Sequence, residues 1–346
     1  MSELRHDPMQ KRWIIIASER MARPHDFVPD KEKIDEKDWQ FCPFCPGNEE
    51  RTPPEIFAVR PPDLPANGPG WNVRVVPNKF PALQIEGNLS REGVGLYDKL
   101  SGVGAHEVII ESTSHSEHMA DMSVERVAQL AEIWSNRISD LRRDARLRYA
   151  MLFRNFGRSA GATLSHPHSQ IIATPVTPRT VSMELDAAKE HYERKERCLY
   201  CDILTQETRE GERVIADNGE FVAHSPYASR FPFEIAIVPR RHSHDFTEMT
   251  TSERFSFARM LIDVLKRLRV ALNDPPYNFL LHTAPNTIAQ EHRRQYWNTL
   301  RMDWHWHVEI LPRLNAAAGF EWGSGIHINP LPPEMAADYL RKANIS

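Results

Sequence analysis

The cysteines and a set of histidines in this chain fall into one arrangement written twice: Cys42-Pro-Phe-Cys45, His115 and His166-Pro-His168, then Cys198-Leu-Tyr-Cys201, His242 and His305-Trp-His307. The two C-x-x-C pairs use all 4 cysteines. Thiolate and imidazole suit a tetrahedral zinc ion, and a C-x-x-C turn delivers two thiolates to one point while distant histidines complete the shell. The expected sites are Cys42, Cys45, His115 and His166, and Cys198, Cys201, His242 and His305. Each shell is closed, with no position for water, which makes both metals structural. The neighbours repeat too, HSEHMADMS from His115 against HSHDFTEMT from His242 and HPHSQI against HWHVEI, so one module has been duplicated. Two other readings of the cysteines stay open, a dithiol redox centre and buried packing thiols. Thiol titration before and after chelation separates them.

His166 and His168 lie two apart, so on a strand their side chains share one face, roughly 6–7 Å apart. With His166 tied to a metal, the backbone at His168 is fixed. A carbonyl bonded to one ring nitrogen of His168 would leave the other as a nucleophile. Gly157-Arg158-Ser159-Ala160-Gly161-Ala162-Thr163 precedes it, a small-residue loop that can bring N–H groups near phosphate, and Gln170 adds an amide donor on the same face. His307 has the same spacing, but Glu309 stands where Gln170 does, and an acid repels phosphate. His168 is therefore the expected nucleophile and His307 a supporting residue.

The elements that must position these groups follow from periodicity. Trp13–Ile16, Trp71–Val76, His106–Ile110, Tyr149–Phe153 and Gln170–Ile172 read as strands, as do Val214–Ala216, Phe221–His224, Phe233–Val238, Asn278–His282 and His307–Leu311. Helices are expected from Ser123, an N-cap followed by Val127, Leu130, Ile133, Trp134 and Ile138 at helical spacing, and from Ser252 to Leu272. Each half reads strand, strand, helix, strand, an α+β plan. Thr174–Arg197 connects the halves and is partly helical, and Pro53-Pro54, Pro61–Pro69 and Pro330–Pro333 read as loops or extended segments.

With 346 residues, 41% hydrophobic and 26% charged, the chain can bury one large core or two fused ones. A net charge of -4 gives no reason to bind a phosphate polymer, so no nucleic-acid partner is expected. The charged N-terminus MSELRHDPMQKRW lacks a secretory apolar core, and no stretch approaches the roughly 18 apolar residues of a membrane span. The expected location is the cytoplasm, where thiols stay reduced.

The run Gly161-Ala-Thr-Leu-Ser-His-Pro-His-Ser-Gln170, with CPFC upstream and the duplicated layout, resembles the galactose-1-phosphate uridylyltransferases, a branch of the histidine-triad superfamily. The resemblance covers nearly the entire chain. The C-terminal half, with CLYC, LNDPPYN to Asn278, HWHVEILP and Gly319-Phe-Glu-Trp-Gly-Ser-Gly325, is also similar to the ADP-glucose phosphorylases, which share the fold and the histidine intermediate. The resemblance implies two histidine-triad-like modules, residues 1–180 and 181–346, each an antiparallel sheet with packed helices. It implies a homodimer with substrate sites near the subunit boundary. It also implies a ping-pong reaction in which His168 takes UMP from UDP-glucose and passes it to a hexose 1-phosphate. The alternative is an ADP-glucose phosphorylase with inorganic phosphate as acceptor, and a competing class is a zinc-stabilised nucleotide-binding module without turnover.

By position in the family motif, Gln170 bonds a non-bridging phosphoryl oxygen and Gly161 and Thr163 line the phosphate path. Asn78 and Asn155 match nucleotide-contacting asparagines, Arg20 and Arg23 match phosphate-neutralising arginines, and Phe320 and Glu321 match an aromatic-acid pair. Where the galactose enzyme places a lysine and a glutamine on the hexose phosphate, this chain has Asn315 and His327, a departure that counts against galactose. In some relatives a glutamate and three histidines hold the second metal, which corresponds to Glu184, His282, His305 and His307 and admits iron. Cys198 and Cys201 favour the zinc version here.

Overall fold

β-Branched residues alternate along the predicted strands, and capped amphipathic runs lie between them. The computed structural model describes residues 1–20, 39, 41–288 and 298–345. The strands are β1 (Glu3–Asp7), β2 (Arg12–Ile16), β3 (Phe57–Val59), β4 (Val73–Pro77), β5 (Arg91–Val94), β6 (Tyr97–Leu100), β7 (Ala105–Ile110), β8 (Tyr149–Phe156), β9 (His168–Thr174), β10 (Val214–Asp217), β11 (Phe221–His224), β12 (Ile235–Pro239), β13 (Tyr277–His282), β14 (His307–Pro312) and β15 (His327–Asn329). The helices are α1 (Val124–Leu141), α2 (Arg179–Lys195), α3 (Leu199–Glu210), α4 (Thr251–Leu272), α5 (Leu300–Asp303), α6 (Gly319–Ser324) and α7 (Pro333–Arg341).

One 10-stranded sheet runs β10-β11-β12-β14-β13-β8-β9-β7-β4-β3. Its neighbours pair antiparallel throughout. The order is symmetric about the β13–β8 junction, where Leu281 faces Leu152. On one side the chain runs β4, β7, α1, β8, β9, and on the other β11, β12, α4, β13, β14. The fold is thus α+β and duplicated, with five sheet strands in each half, two more than the predicted strand, strand, helix, strand.

Both long helices cover the same face. Ser123 accepts the Arg126 N–H to start α1, and Thr250 with Glu253 forms a full capping box on α4. Leu130, Trp134 and Ile138 of α1 and Phe257, Leu261 and Leu265 of α4 share one buried cluster with Ile109, Ile171, Ile237 and Ile310 of the sheet. Each such side chain contributes roughly 1.5–3 kcal/mol through burial. Because strand side chains alternate, packing Ser169 and Ile171 of β9 toward α1, where Trp134 donates to Ser169 Oγ at 2.9 Å, turns His168 and Gln170 to the opposite face. That face carries two small clusters, one around Cys42, Phe44 and Cys45 and one around Cys198, Tyr200 and Leu204.

Several features escaped the sequence, among them three that shape the C-terminal half. Pro333 opens α7 rather than extending a loop, because proline lacks only an N–H that a first helical turn leaves unbonded. Helix α3 starts directly after Cys198. The hairpin β1–β2 pairs with β15 from the far end of the chain, a parallel ladder that no local pattern announces. No described helix is long and apolar enough to cross a membrane.

Candidate active site and metal centres

The first cysteine pair sits in a tight turn closed by Cys45 N–H to the Cys42 carbonyl, and Asn48 donates to the same carbonyl. One donor atom from each of Cys42, Cys45, His115 and His166 lies within 4.8 Å of the others. Cys45 Sγ is 3.3 Å from His115 Nδ1 and 3.5 Å from His166 Nδ1. A tetrahedral ion with bonds of the zinc type spaces sulfur and nitrogen donors by roughly 3.6 Å, so these residues fit such an ion. The far nitrogens are held as well: His166 Nε2–H donates to the Ser112 carbonyl at 2.7 Å, and His115 Nε2 bonds Ser165 Oγ at 2.9 Å. Those outer bonds turn each Nδ1 toward the sulfurs. Burial pushes His166 down to about 4, which keeps its ring neutral, as a ligand must be.

His168 follows at the start of β9. Its Nδ1–H donates to the His166 carbonyl at 2.7 Å, so the lone pair resides on Nε2. The expected bond between a backbone carbonyl and one ring nitrogen is present, whereas His166 precedes the strand instead of lying in it. Phe44 presents its edge to the ring at 5.3 Å. The histidine borders a cavity of about 570 Å³ with Asn155, Thr163 and Arg154 in its wall. Gly161 at φ 91° and Gly157 at φ 83° shape the preceding loop with backbone angles that favour glycine. Asn155 Oδ1 accepts from Asn278 at 2.8 Å, which leaves its Nδ2 as the donor.

Gln170 and Asn78 both approach His106 Nε2, at 2.9 and 3.1 Å. His106 Nδ1 accepts the Ala82 N–H at 3.3 Å, so Nε2 carries the proton and donates to Gln170 Oε1. The amide of Gln170 is thereby oriented with its NH2 available, and Asn78 Nδ2 is left facing a donor. His106 was missed in the sequence; its signal is a polar residue among apolar ones on the face shared with Val108. Arg154 and Glu111 were missed too, and they form a buried ion pair at 3.0 Å with Tyr277 OH at 2.7 Å from the guanidinium.

The match to known sequences settles the family. A model of the galactose-1-phosphate uridyl transferase N-terminal domain matches residues 1–178, and a domain of unknown function matches residues 103–344. An ADP-glucose phosphorylase from Arabidopsis thaliana is 34% identical over 99% of this chain and 93% of its own length. The chain belongs to the galactose-1-phosphate uridyl transferase family. A family member from Thermotoga maritima, a galactose-1-phosphate uridylyltransferase, is 28% identical over 100% of this chain and 99% of its own. The solved Arabidopsis thaliana ADP-glucose phosphorylase with bound ADP-glucose superposes with a TM-score of 0.80 at 32% identity, covering 99% of this chain and 100% of that one.

The family's duplicated half shows what the second dyad has become. Cys198, Cys201, His242 and His305 form a second group, with Cys201 Sγ 3.5 Å from His242 Nδ1 and 3.6 Å from His305 Nδ1. His305 Nε2–H donates to the Pro239 carbonyl and His242 Nε2–H to the Arg301 carbonyl, at 3.0 and 2.9 Å. His305 thus faces the cysteines, and Glu184, His282 and His307 form a separate group that could also hold an ion. Glu184 bonds His282 at 2.7 Å. His307 Nδ1–H donates to the His305 carbonyl at 3.2 Å, as in the first half, but its Nε2 accepts from Tyr200 OH at 2.9 Å. Tyr200 stands where Phe44 stands, and its hydroxyl occupies the nitrogen that His168 leaves open. Glu309, in the place of Gln170, pairs with Arg230 at 2.7 Å.

The remaining expectations divide. Asn155, Thr163 and His168 share the first cavity, whereas Gln170, Asn78 and Gly161 are not part of its lining; Gln170 and Asn78 meet instead at His106. Phe320 and Glu321 lie on α6, away from the cavity wall of their own chain, with Phe320 49% exposed. Asn315 Oδ1 is buried without a partner, and His327 stacks edge-on with Phe231 at 5.2 Å. Arg23 and the side chain of Arg20 lie outside the described residues.

Two results are expected from this geometry. Burial sets His168 below its ordinary 6.5, although the His166 carbonyl and Glu111 oppose the shift. Protonation removes the lone pair, so the rate of histidine labelling stays flat across neutral pH and falls only as pH drops below 6.5. A single-turnover profile still rising above that value contradicts the assignment. Phe44→Tyr should copy the Tyr200 contact onto His168 and slow labelling about tenfold, the worth of one hydrogen bond to the attacking nitrogen. An unchanged single-turnover rate shows that Phe44 plays no such part.

Proposed function

We propose that the protein moves a nucleotidyl group in two steps through His168 Nε2, from a nucleoside diphosphate-glucose to a phosphate-bearing acceptor. The observation that carries this is the 2.7 Å bond from His168 Nδ1 to the His166 carbonyl at the edge of a cavity large enough for a nucleotide. In the first step Nε2 attacks the α-phosphorus, the bond to the bridging oxygen breaks, and glucose 1-phosphate leaves with that electron pair. In the second, an oxygen of the acceptor attacks the same phosphorus and frees Nε2. Sugar phosphate is a good leaving group, so alignment and charge stabilisation suffice.

Gln170 NH2 is assigned to a non-bridging oxygen, Gly161 and Thr163 to the phosphate path, and Asn78 and Asn155 to the nucleoside. Arg20 and Arg23 take the phosphate charge. Phe320 and Glu321 are assigned to the hexose across a homodimer boundary, a reading supported by their absence from the lining of their own chain's cavity. Zinc is the ion assigned to each cysteine-histidine group; when bound it clamps the C-x-x-C turn to the loop before β9 or β14.

For donor and acceptor we favour ADP-glucose and inorganic phosphate. Asn315 and His327 replace the lysine and glutamine that the galactose enzyme sets on its hexose phosphate, and the phosphorylase from Arabidopsis thaliana has the higher identity of the two relatives above. Uridylyl transfer from UDP-glucose to a hexose 1-phosphate is the second reading, supported by the family match over residues 1–178. Incubation with radiolabelled ADP-glucose and UDP-glucose, then phosphate or galactose 1-phosphate, tests both. Label from ADP-glucose discharged by phosphate is expected; discharge by galactose 1-phosphate alone reverses the preference, and no label from either donor ends the proposal.

A further inference from the structure

A second cavity, of about 270 Å³, lies on the same sheet face in the C-terminal half, beside His307 and under the β1–β2 turn. The duplication places it. Ala236 pairs with Glu309 as Val108 pairs with Gln170, so His307, Tyr200 and Glu309 stand as His168, Phe44 and Gln170 do in the first half. Its chemistry differs in sign. Asp7, Glu207, Glu234 and Glu309 all line it, and the one guanidinium in its wall, Arg213, is engaged by Glu207, Glu210 and Glu334. Among the described residues, a phosphate would meet carboxylates and no unengaged guanidinium.

Among the described residues, two deeply buried polar atoms in this wall have no hydrogen-bond partner, Gln10 Oε1 and His224 Nδ1. Their residues are 4% and 5% exposed. The Gln10 amide cannot turn over to relieve this, because its Nε2 donates to Glu184 at 2.7 Å and to Glu309 at 3.2 Å. Two carboxylates therefore hold Oε1 as an open acceptor. An unmet buried group of this kind costs about 1–3 kcal/mol, which a ligand donor would remove. Tyr227, 47% exposed, stands at the rim.

We propose that this cavity is a second ligand site, for an uncharged nitrogen heterocycle of nucleobase or nucleoside size that donates an N–H to Gln10 Oε1 and bonds His224 Nδ1. Phosphorylated forms are excluded by the carboxylates. The site is separate from the transfer reaction proposed above, and its test does not depend on turnover.

Calorimetric titration of the full-length protein with adenosine, uridine, adenine and AMP provides the test. At least one of the three uncharged compounds is expected to bind, AMP is not expected to compete at this site, and Asn155→Ala in the first cavity should leave the binding intact. His224→Phe, which fills the space, and Gln10→Leu, which keeps the shape but removes the acceptor, should each weaken it about tenfold or more. Unaltered melting and metal content show that the variants are folded. A soaked crystal of the unmodified protein supplies a measurement that needs no variant, with the heterocycle expected against Gln10. Binding of none of the three, binding untouched by both substitutions, equal competition by AMP, or an empty second cavity in the soaked crystal overturns the proposal.

Discussion

His168→Asn is expected to eliminate transfer while leaving the protein folded. Asparagine has no nucleophilic nitrogen, since its amide lone pair is delocalised, so no covalent nucleotidyl intermediate can form. Loss of a nucleophile lowers turnover by at least about 10⁴-fold in enzymes that depend on one. The fold should tolerate the change, because the asparagine NH2 can still donate to the His166 carbonyl that His168 Nδ1 reaches at 2.7 Å. Trapping of radiolabelled protein after mixing with the donor is the direct measurement, with the burst of glucose 1-phosphate as its partner. Equal labelling of wild type and variant would place the nucleophile elsewhere, and His307 would be the next residue to replace.

The second large effect concerns the first metal centre. Cys45 Sγ lies near both His115 and His166, so Cys45→Ala removes the donor common to the two contacts. Structural zinc in small domains binds with about 10–16 kcal/mol, and even partial loss destabilises by several kcal/mol. Metal content should fall from two ions per chain to one, for the two cysteine-histidine groups, and the melting temperature should drop. Transfer should fall as well, because the proposed ion and the Ser112 carbonyl would together fix the His166 ring, whose backbone carbonyl aims His168. Burial and Cys42 push the Cys45 thiol up to about 12, so a bound cation would be what permits a thiolate there. Cys45→Ala with wild-type metal content and unchanged melting would show that the ion is not structural.

Much of the candidate site was legible because its chemistry is strongly typed. Only cysteine and histidine at those spacings could gather four soft donors, and the fold brings the predicted eight residues into the predicted two groups. Helix α1 was legible for a similar reason, a capping serine followed by an apolar stripe. His106 was not, since a lone histidine in an apolar strand carries no spacing signal, and its effect on Gln170 acts across the β7–β9 ladder. Arg154 sits on β8 and Glu111 just beyond the end of β7, and their pairing needs β8, β9 and β7 side by side.

Residue types and their order along the chain pointed to the candidate metal ligands, the duplication and the expectation of His168 over His307 on the ground of Gln170 against Glu309. The tertiary structure alone supplied the difference in ring environment that supports that expectation: Tyr200 covers His307 Nε2, while Phe44 in the matching place has no hydroxyl to cover His168. It alone showed His305 turned to the cysteines, the first hairpin docked on the C-terminal half, and a second cavity with open acceptors beneath that hairpin. Donor type is written in a side chain. Which of its atoms remains available is set by neighbours that only folding brings within hydrogen-bond reach.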